Sequence, residues 1–176
     1  MSELVKKTGE QVAQELQLVA FRLRGEEFAV DIQRVREVLK ITQITPLPQA
    51  LSFIEGVINL RGEVIPVIDL RKRFNIINVQ QTGESRIIIV EIDENLVGLI
   101  VDSVTEVLHL LTSAVEPPPR RLVGTRTEFI KGVGKLGDRL LIILDLEQIL
   151  STEEHGELEQ LMIDEHPRQT LTGGAN

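Results

Sequence analysis

The chain repeats itself. The stretch Phe53-Ile-Glu-Gly-Val-Ile-Asn-Leu-Arg-Gly-Glu-Val-Ile-Pro-Val-Ile-Asp-Leu70 recurs without a gap as Phe129-Ile-Lys-Gly-Val-Gly-Lys-Leu-Gly-Asp-Arg-Leu-Leu-Ile-Ile-Leu-Asp-Leu146. Phe, Ile, Gly, Val, Leu, Asp and Leu stand in register, and Val64/Leu140, Ile65/Leu141, Val67/Ile143 and Ile68/Leu144 are aliphatic exchanges. An upstream block agrees too. Phe28 to Ile41 lies over Val97 to Leu110, with Val35/Val104, Glu37/Glu106, Val38/Val107 and Leu39/Leu108 matched. Such self-similarity marks an internal duplication, so the fold has to build one supersecondary unit twice. The spacing between the two blocks is longer in the second copy, around Pro117-Pro118-Pro119.

Each unit reads as β. Val57 to Leu60 and Val64 to Ile68 are short runs of β-branched residues, which suit a pleated, half-buried surface. Gly62 supplies the positive φ that the turn between them needs, and this lifts Arg61 out of the apolar surroundings. Pro66 has no N–H and predicts an edge strand or a bulge. Upstream, strands are expected over Gln17–Leu23, Phe28–Val30 and Glu37–Ile41, with a short connector capped by Asp31. Ser85–Ile92 and Leu96–Val101 form a hairpin about Asp93-Glu94-Asn95. Asp69 and its twin Asp145 each follow an apolar run, where an N-cap belongs. Asp145 to Gln148 has capping-box spacing, predicting a helix to about Leu150 that Glu153 to Asp164 extend. Many short strands with frequent Gly and Pro turns make an all-β protein of small barrels or a sandwich. Residues 1–16 read as a flexible leader, 17–150 as the folded domain and 151–176 as an acidic helix and tail.

Two glycines and one arginine stand out in the repeat. Gly56 and Gly132 occupy the same place in both copies and read as a backbone requirement. Arg61 lies over Gly137, while Arg139 stands two places later. A residue needed only by the fold should recur in both copies, so the mismatch points Arg61 toward an interaction.

Bulk properties exclude several classes. Hydrophobic residues make up 42%, enough for a real core, and with no Trp, no Tyr and 5 Phe that core has to be aliphatic. The absence of Cys rules out disulfides and thiolate metal sites. No stretch approaches the roughly 20 apolar residues that span a bilayer, so a soluble cytoplasmic protein without membrane insertion is expected. The formal net charge is −8, and Glu153, Glu154, Glu157, Glu159, Asp164 and Glu165 crowd the tail. Arg71-Lys72-Arg73 and Arg120-Arg121 are too short and isolated to make a nucleic-acid stripe.

No catalytic constellation emerges. His155 and His166 lie in the acidic tail, and His109 sits at a strand end as a surface or half-buried residue. HExxH, GxSxG and P-loop patterns are absent. Gly132-Val-Gly-Lys-Leu-Gly137 spells GxGxxG, but inside a strand–turn–strand and not at a helix start. No catalytic residue, cofactor or metal is therefore expected.

The stretch Phe53 to Arg71 resembles the signature of the CheW family of bacterial chemotaxis coupling proteins. Val97-Gly-Leu-Ile-Val-Asp-Ser-Val-Thr-Glu-Val107 and Phe129-Ile-Lys-Gly-Val-Gly134 resemble its second and third motifs, and the likeness runs from about Leu18 to Leu150. The resemblance implies two intertwined five-stranded β-barrels, one per half of the duplication. It implies a scaffold that couples the cytoplasmic tips of methyl-accepting chemoreceptors to the regulatory domain of the histidine kinase CheA. The receptor-contact positions it implies fall on Val35, Arg61, Gly98, Val104 and Val107, with Gly56, Gly62, Gly132, Asp69 and Asp145 as structural signature. The resemblance does not itself fix the kinase surface, which is expected at surface turns of the first barrel. Too little chain follows Leu150 for the added domains of CheA or CheV relatives. The same adaptor role in a system driving surface motility is one alternative. A small-ligand-binding barrel is another, and it predicts a polar-lined cavity.

Overall fold

The computed structural model describes residues 14–118 and 127–165. The leader up to residue 13, the loop beyond Pro118 and the tail from His166 lie outside the described residues. In chain order the strands are β1 (Glu15–Leu23), β2 (Glu26–Asp31), β3 (Val35–Lys40), β4 (Ile54–Leu60), β5 (Glu63–Asp69), β6 (Arg86–Ile92), β7 (Asn95–Val101), β8 (Ser103–Leu111), β9 (Val115–Glu116), β10 (Ile130–Leu136) and β11 (Arg139–Leu144). The helices are α1 (Leu70–Arg73) and α2 (Thr152–Glu165). Asp31 caps a 3-10 turn as expected, its carboxylate accepting from the Gln33 N–H at 2.9 Å.

Two sheets form, with strand orders β8-β1-β2-β11-β10-β9 and β3-β6-β7-β5-β4. The all-β architecture of two barrel-like subdomains is therefore as the sequence implies, with one sheet carrying a sixth short strand. The assignment of one barrel to each half of the duplication is corrected. The β1–β2 hairpin of the first copy lies parallel to β11 of the second, and the β6–β7 hairpin of the second lies parallel to β5 of the first. The copies exchange their leading hairpins, so neither sheet is complete without both halves.

Alternation of side chains along each strand then supplies separate cores. In β1, Leu18 and Ala20 join a cluster drawn from the first sheet alone, with Leu108, Leu110, Leu141 and Ile143. In β6, Ile87 and Ile89 join a cluster drawn from the second sheet alone, with Ile58, Ile65 and Ile100. The opposite faces, Val19, Phe21 and Leu23 in β1 and Ile88, Val90 and Ile92 in β6, meet in a third and larger cluster that joins the sheets. That is why Ile87 to Val90 reads as an unbroken apolar run: both faces are buried.

Local details depart from expectation in two places. Pro66 sits neither on an edge strand nor at a bulge, because β5 is flanked by β4 and β7. The β5–β7 ladder begins only at Val67, so Pro66 stands just before the residues that need those bonds. The helix expected through Leu150 is instead a 3-10 turn, Leu146–Gln148, followed by the separate helix α2. The capping box belongs to Ser151 and Glu154. The Ser151 hydroxyl accepts from the Glu154 N–H at 3.1 Å, and the Glu154 carboxylate accepts from the Ser151 N–H at 2.8 Å.

Asp69 caps α1 by accepting from the Arg71 N–H at 2.9 Å. It also receives a bidentate pair from the Arg71 guanidinium, at 2.9 and 3.0 Å, while Arg71 Nη1 donates to Asp102 and to the Gln80 carbonyl, each at 2.9 Å. Burial works against the Arg71 cation, and the two carboxylates outweigh it, so its pKa lies above the usual value.

Candidate docking surface

The surface valines owe their placement to two matching bulges. On edge strand β8, Ala20 of β1 faces Glu106 and Phe21 faces Val104, leaving Thr105 as the extra residue. The Thr105 hydroxyl donates to the Ala20 carbonyl at 3.1 Å. The bulge puts Val104 and Val107, three apart in sequence, on one face beside Phe21 and Val19. Val104 packs on the cluster between the sheets, and Val107 is 50% exposed.

Edge strand β3 repeats the device. Val35 faces Val90, Glu37 faces Ile89 and Val38 faces Ile88, so Arg36 is the extra residue. Val35 packs on the same inter-sheet cluster, and Val38 is 41% exposed. Sequence reasoning did not place Val38 at the surface site. The signal was present in its match to Val107, but strand alternation without a bulge puts Val35 and Val38 on opposite faces.

Of the implied contact positions, Gly98 lies inside the second sheet. It is buried in β7, where a Cβ would stand 2.9 Å from Ile87 Cγ2 and 3.4 Å from Val67 Cγ2. Its role in this fold is to let neighbouring chains close over it.

Arg61 and Gly62 form a hairpin turn with φ of 50° and 88°, both left-handed. Gly137 takes the Arg61 place in the second copy with φ 62°. Arg61 therefore holds a conformation that costs an L-residue on the order of 1 kcal/mol. Its side chain is 72% exposed and donates to the Glu37 carboxylate on β3. That hydrogen bond, with the Glu37 charge behind it, raises the Arg61 pKa against a small opposing desolvation.

The mismatch of the repeat at Arg61 has a structural answer. Arg139 donates to Glu106, the twin of Glu37, at 3.0 Å. The arginine has moved two places along the chain, yet both copies keep an arginine from the second hairpin on the glutamate of the edge strand. The premise that Arg61 lacks a counterpart is corrected, and its candidacy rests on exposure.

Arg139 also donates to Glu27 at 3.0 and 2.6 Å. The Arg139 hydrogen bond, opposed by desolvation and assisted by the Arg139 and Arg22 charges, holds the Glu27 carboxyl below its usual range. A depressed carboxyl contributes stability that is full above its unfolded value and is lost as pH falls through the folded one. Arg139→Met should therefore lower the urea midpoint at pH 7, and the gap to the parent should narrow as pH falls through and below the ordinary carboxylate range. A gap that does not narrow with falling pH assigns the loss to packing.

Among the described residues no group of His, Asp and Glu could hold a metal ion, and no helix is long and apolar enough to cross a membrane. His109 lies on the surface of β8, 3.0 Å from Glu15. The chain is thus a duplicated two-sheet β protein in which edge strands β3 and β8 carry matching valine stripes. Residues 17–154 match the CheW-like domain. A chemotaxis protein CheW from Klebsiella aerogenes is 38% identical over 154 residues, covering 88% of this chain and 92% of that protein. One from Bacillus subtilis is 37% identical over 147 residues, covering 84% and 90%. The crystal structure of the scaffolding protein TtCheW from Thermoanaerobacter tengcongensis aligns with TM-score 0.74 and 43% identity, over 79% of this chain and 94% of that one. This chain belongs to the CheW family of chemotaxis adaptors.

Proposed function

We propose that this protein couples the cytoplasmic tips of methyl-accepting chemoreceptors to the histidine kinase CheA, without chemistry of its own. The observation that carries this reading is the pair of valine stripes, Val35/Val38 and Val104/Val107, rooted in the cluster between the two sheets. Spaced apolar anchors of this kind suit the face of a partner helix. Arg61 stands exposed beside Glu37 on β3, where a planar guanidinium can exchange that carboxylate for one on a partner. The alternative of a small-ligand barrel is disfavoured by the aliphatic filling of each sheet's own cluster, including Ile65, Ile87 and Ile89 at or below 1% exposure.

The test is binding of purified receptor-tip fragment and purified CheA. Val107→Asp should weaken receptor binding about tenfold or more, the scale of losing an anchor. Arg61→Ala should lower it a few-fold, mostly through association rate. Both should melt close to the parent and retain kinase binding better than receptor binding. Full receptor affinity in both variants overturns the assignment of this surface, and failure of the parent to bind either partner overturns the coupling role.

A further inference from the structure

The residue at the joint between the sheets that the docking surface leaves unused is Arg73. Its guanidinium lies over the Phe53 ring at 4.4 Å and over the Phe129 ring at 4.8 Å. Those two rings are twins in the duplication, so the cation sits where the two copies meet. Arg73 Nε donates to the Ile149 carbonyl at 2.7 Å, and Nη2 donates to Glu154 Oε1 at 2.9 Å. Its side chain is only 10% exposed. A cation in such a place needs an anion, since an unpaired buried charge is costly.

That anion is not free-standing. The Glu154 oxygen that pairs with Arg73 also accepts from the Ser151 N–H, in the capping box that starts α2. Unwinding the first turn of α2 therefore withdraws the Glu154 carboxylate from Arg73. We infer that α2 and the inter-sheet joint form one coupled unit, in which docking of α2 brings Glu154 to Arg73 and helps hold the guanidinium over the two rings. Release of α2 by a partner then loosens the packing of the two sheets at a distance. The coupling is a conformational device independent of which partner uses the surface valines.

Two backbone bonds report on the joint. The Asp69 N–H donates to the Phe53 carbonyl and the Asp145 N–H to the Phe129 carbonyl, each at 2.8 Å. Hydrogen exchange on the full chain should show protection at these two amides falling about tenfold in Glu154→Gln, the scale set by a charge-assisted hydrogen bond. Glu153→Gln, an exposed change of equal charge in the same turn, should leave both amides as in the parent. In an Arg73→Met background, Glu154→Gln should have no further effect on either amide. The inference is overturned if Glu154→Gln lowers protection only within α2, if neither region changes, or if the joint amides respond equally with and without Arg73.

Discussion

Gly56→Val is expected to destabilise the fold by about 3–5 kcal/mol, combining left-handed strain with forced displacement of backbone. Gly56 has φ 144°, and a Cβ there would lie 2.0 Å from the Thr45 carbonyl oxygen. Thr45 is held in place by paired hydrogen bonds to Val57, each at 2.8 Å, so it has nowhere to retreat. Gly132 occupies the same place in the second copy but meets a softer obstacle. Its nearest neighbour would be Val115 Cγ1 at 2.7 Å, followed by the Glu116 carbonyl oxygen at 3.0 Å. A side chain can turn, so Gly132→Val should cost about 1–3 kcal/mol. Urea midpoints of the two variants decide the matter. Equal losses would show that shared sequence position, and not local contact, sets the requirement.

Asp69→Ala is the second change with a large expected effect, about 3–5 kcal/mol. It strips the bidentate partner from a guanidinium that is 5% exposed and removes the cap of α1. Asp102 remains on Arg71, but at 33% exposure it is the weaker counter-ion. Asp145 is the control supplied by the duplication. Among the described residues its carboxylate accepts from the Glu147 N–H alone, at 3.2 Å, and Glu147 stands where the first copy has Arg71. Asp145→Ala should cost about 1 kcal/mol, the value of a cap. Thermal melts of both variants, with comparable losses, would mean that the buried pair adds nothing beyond capping.

Both contrasts concern residues that the sequence presents as twins. Asp69 and Asp145 read alike because capping is local: an aspartate, a turn and the N–H two residues on. The arginine that makes Asp69 a buried pair also lies two residues on, but whether it turns inward depends on the Gln80 carbonyl in the loop that follows and on Asp102, 31 residues away. Gly98 is ambiguous in the sequence for a related reason. A glycine in a strand signals close approach, but not whether the approaching group belongs to a partner or to Ile87 across the same sheet.

The sequence by itself determined the duplication, the all-β class, most strand positions, the hairpin turns and the family. These follow from signals that act over a few residues: β-branched runs, glycine at positive φ, aspartate before a turn, and the recurrence of one block. Which strands share a sheet was decided by tertiary structure alone. The β1–β2 and β6–β7 hairpins satisfy the same local rules wherever they dock, and only burial of the cluster between the sheets distinguishes exchange from self-completion. The same holds for the bulges that bring Val38 and Val107 to the surface, and for Arg139 taking the place of a second Arg61. Register and ion pairing across a barrel are set by groups far apart in sequence, which no local pattern records.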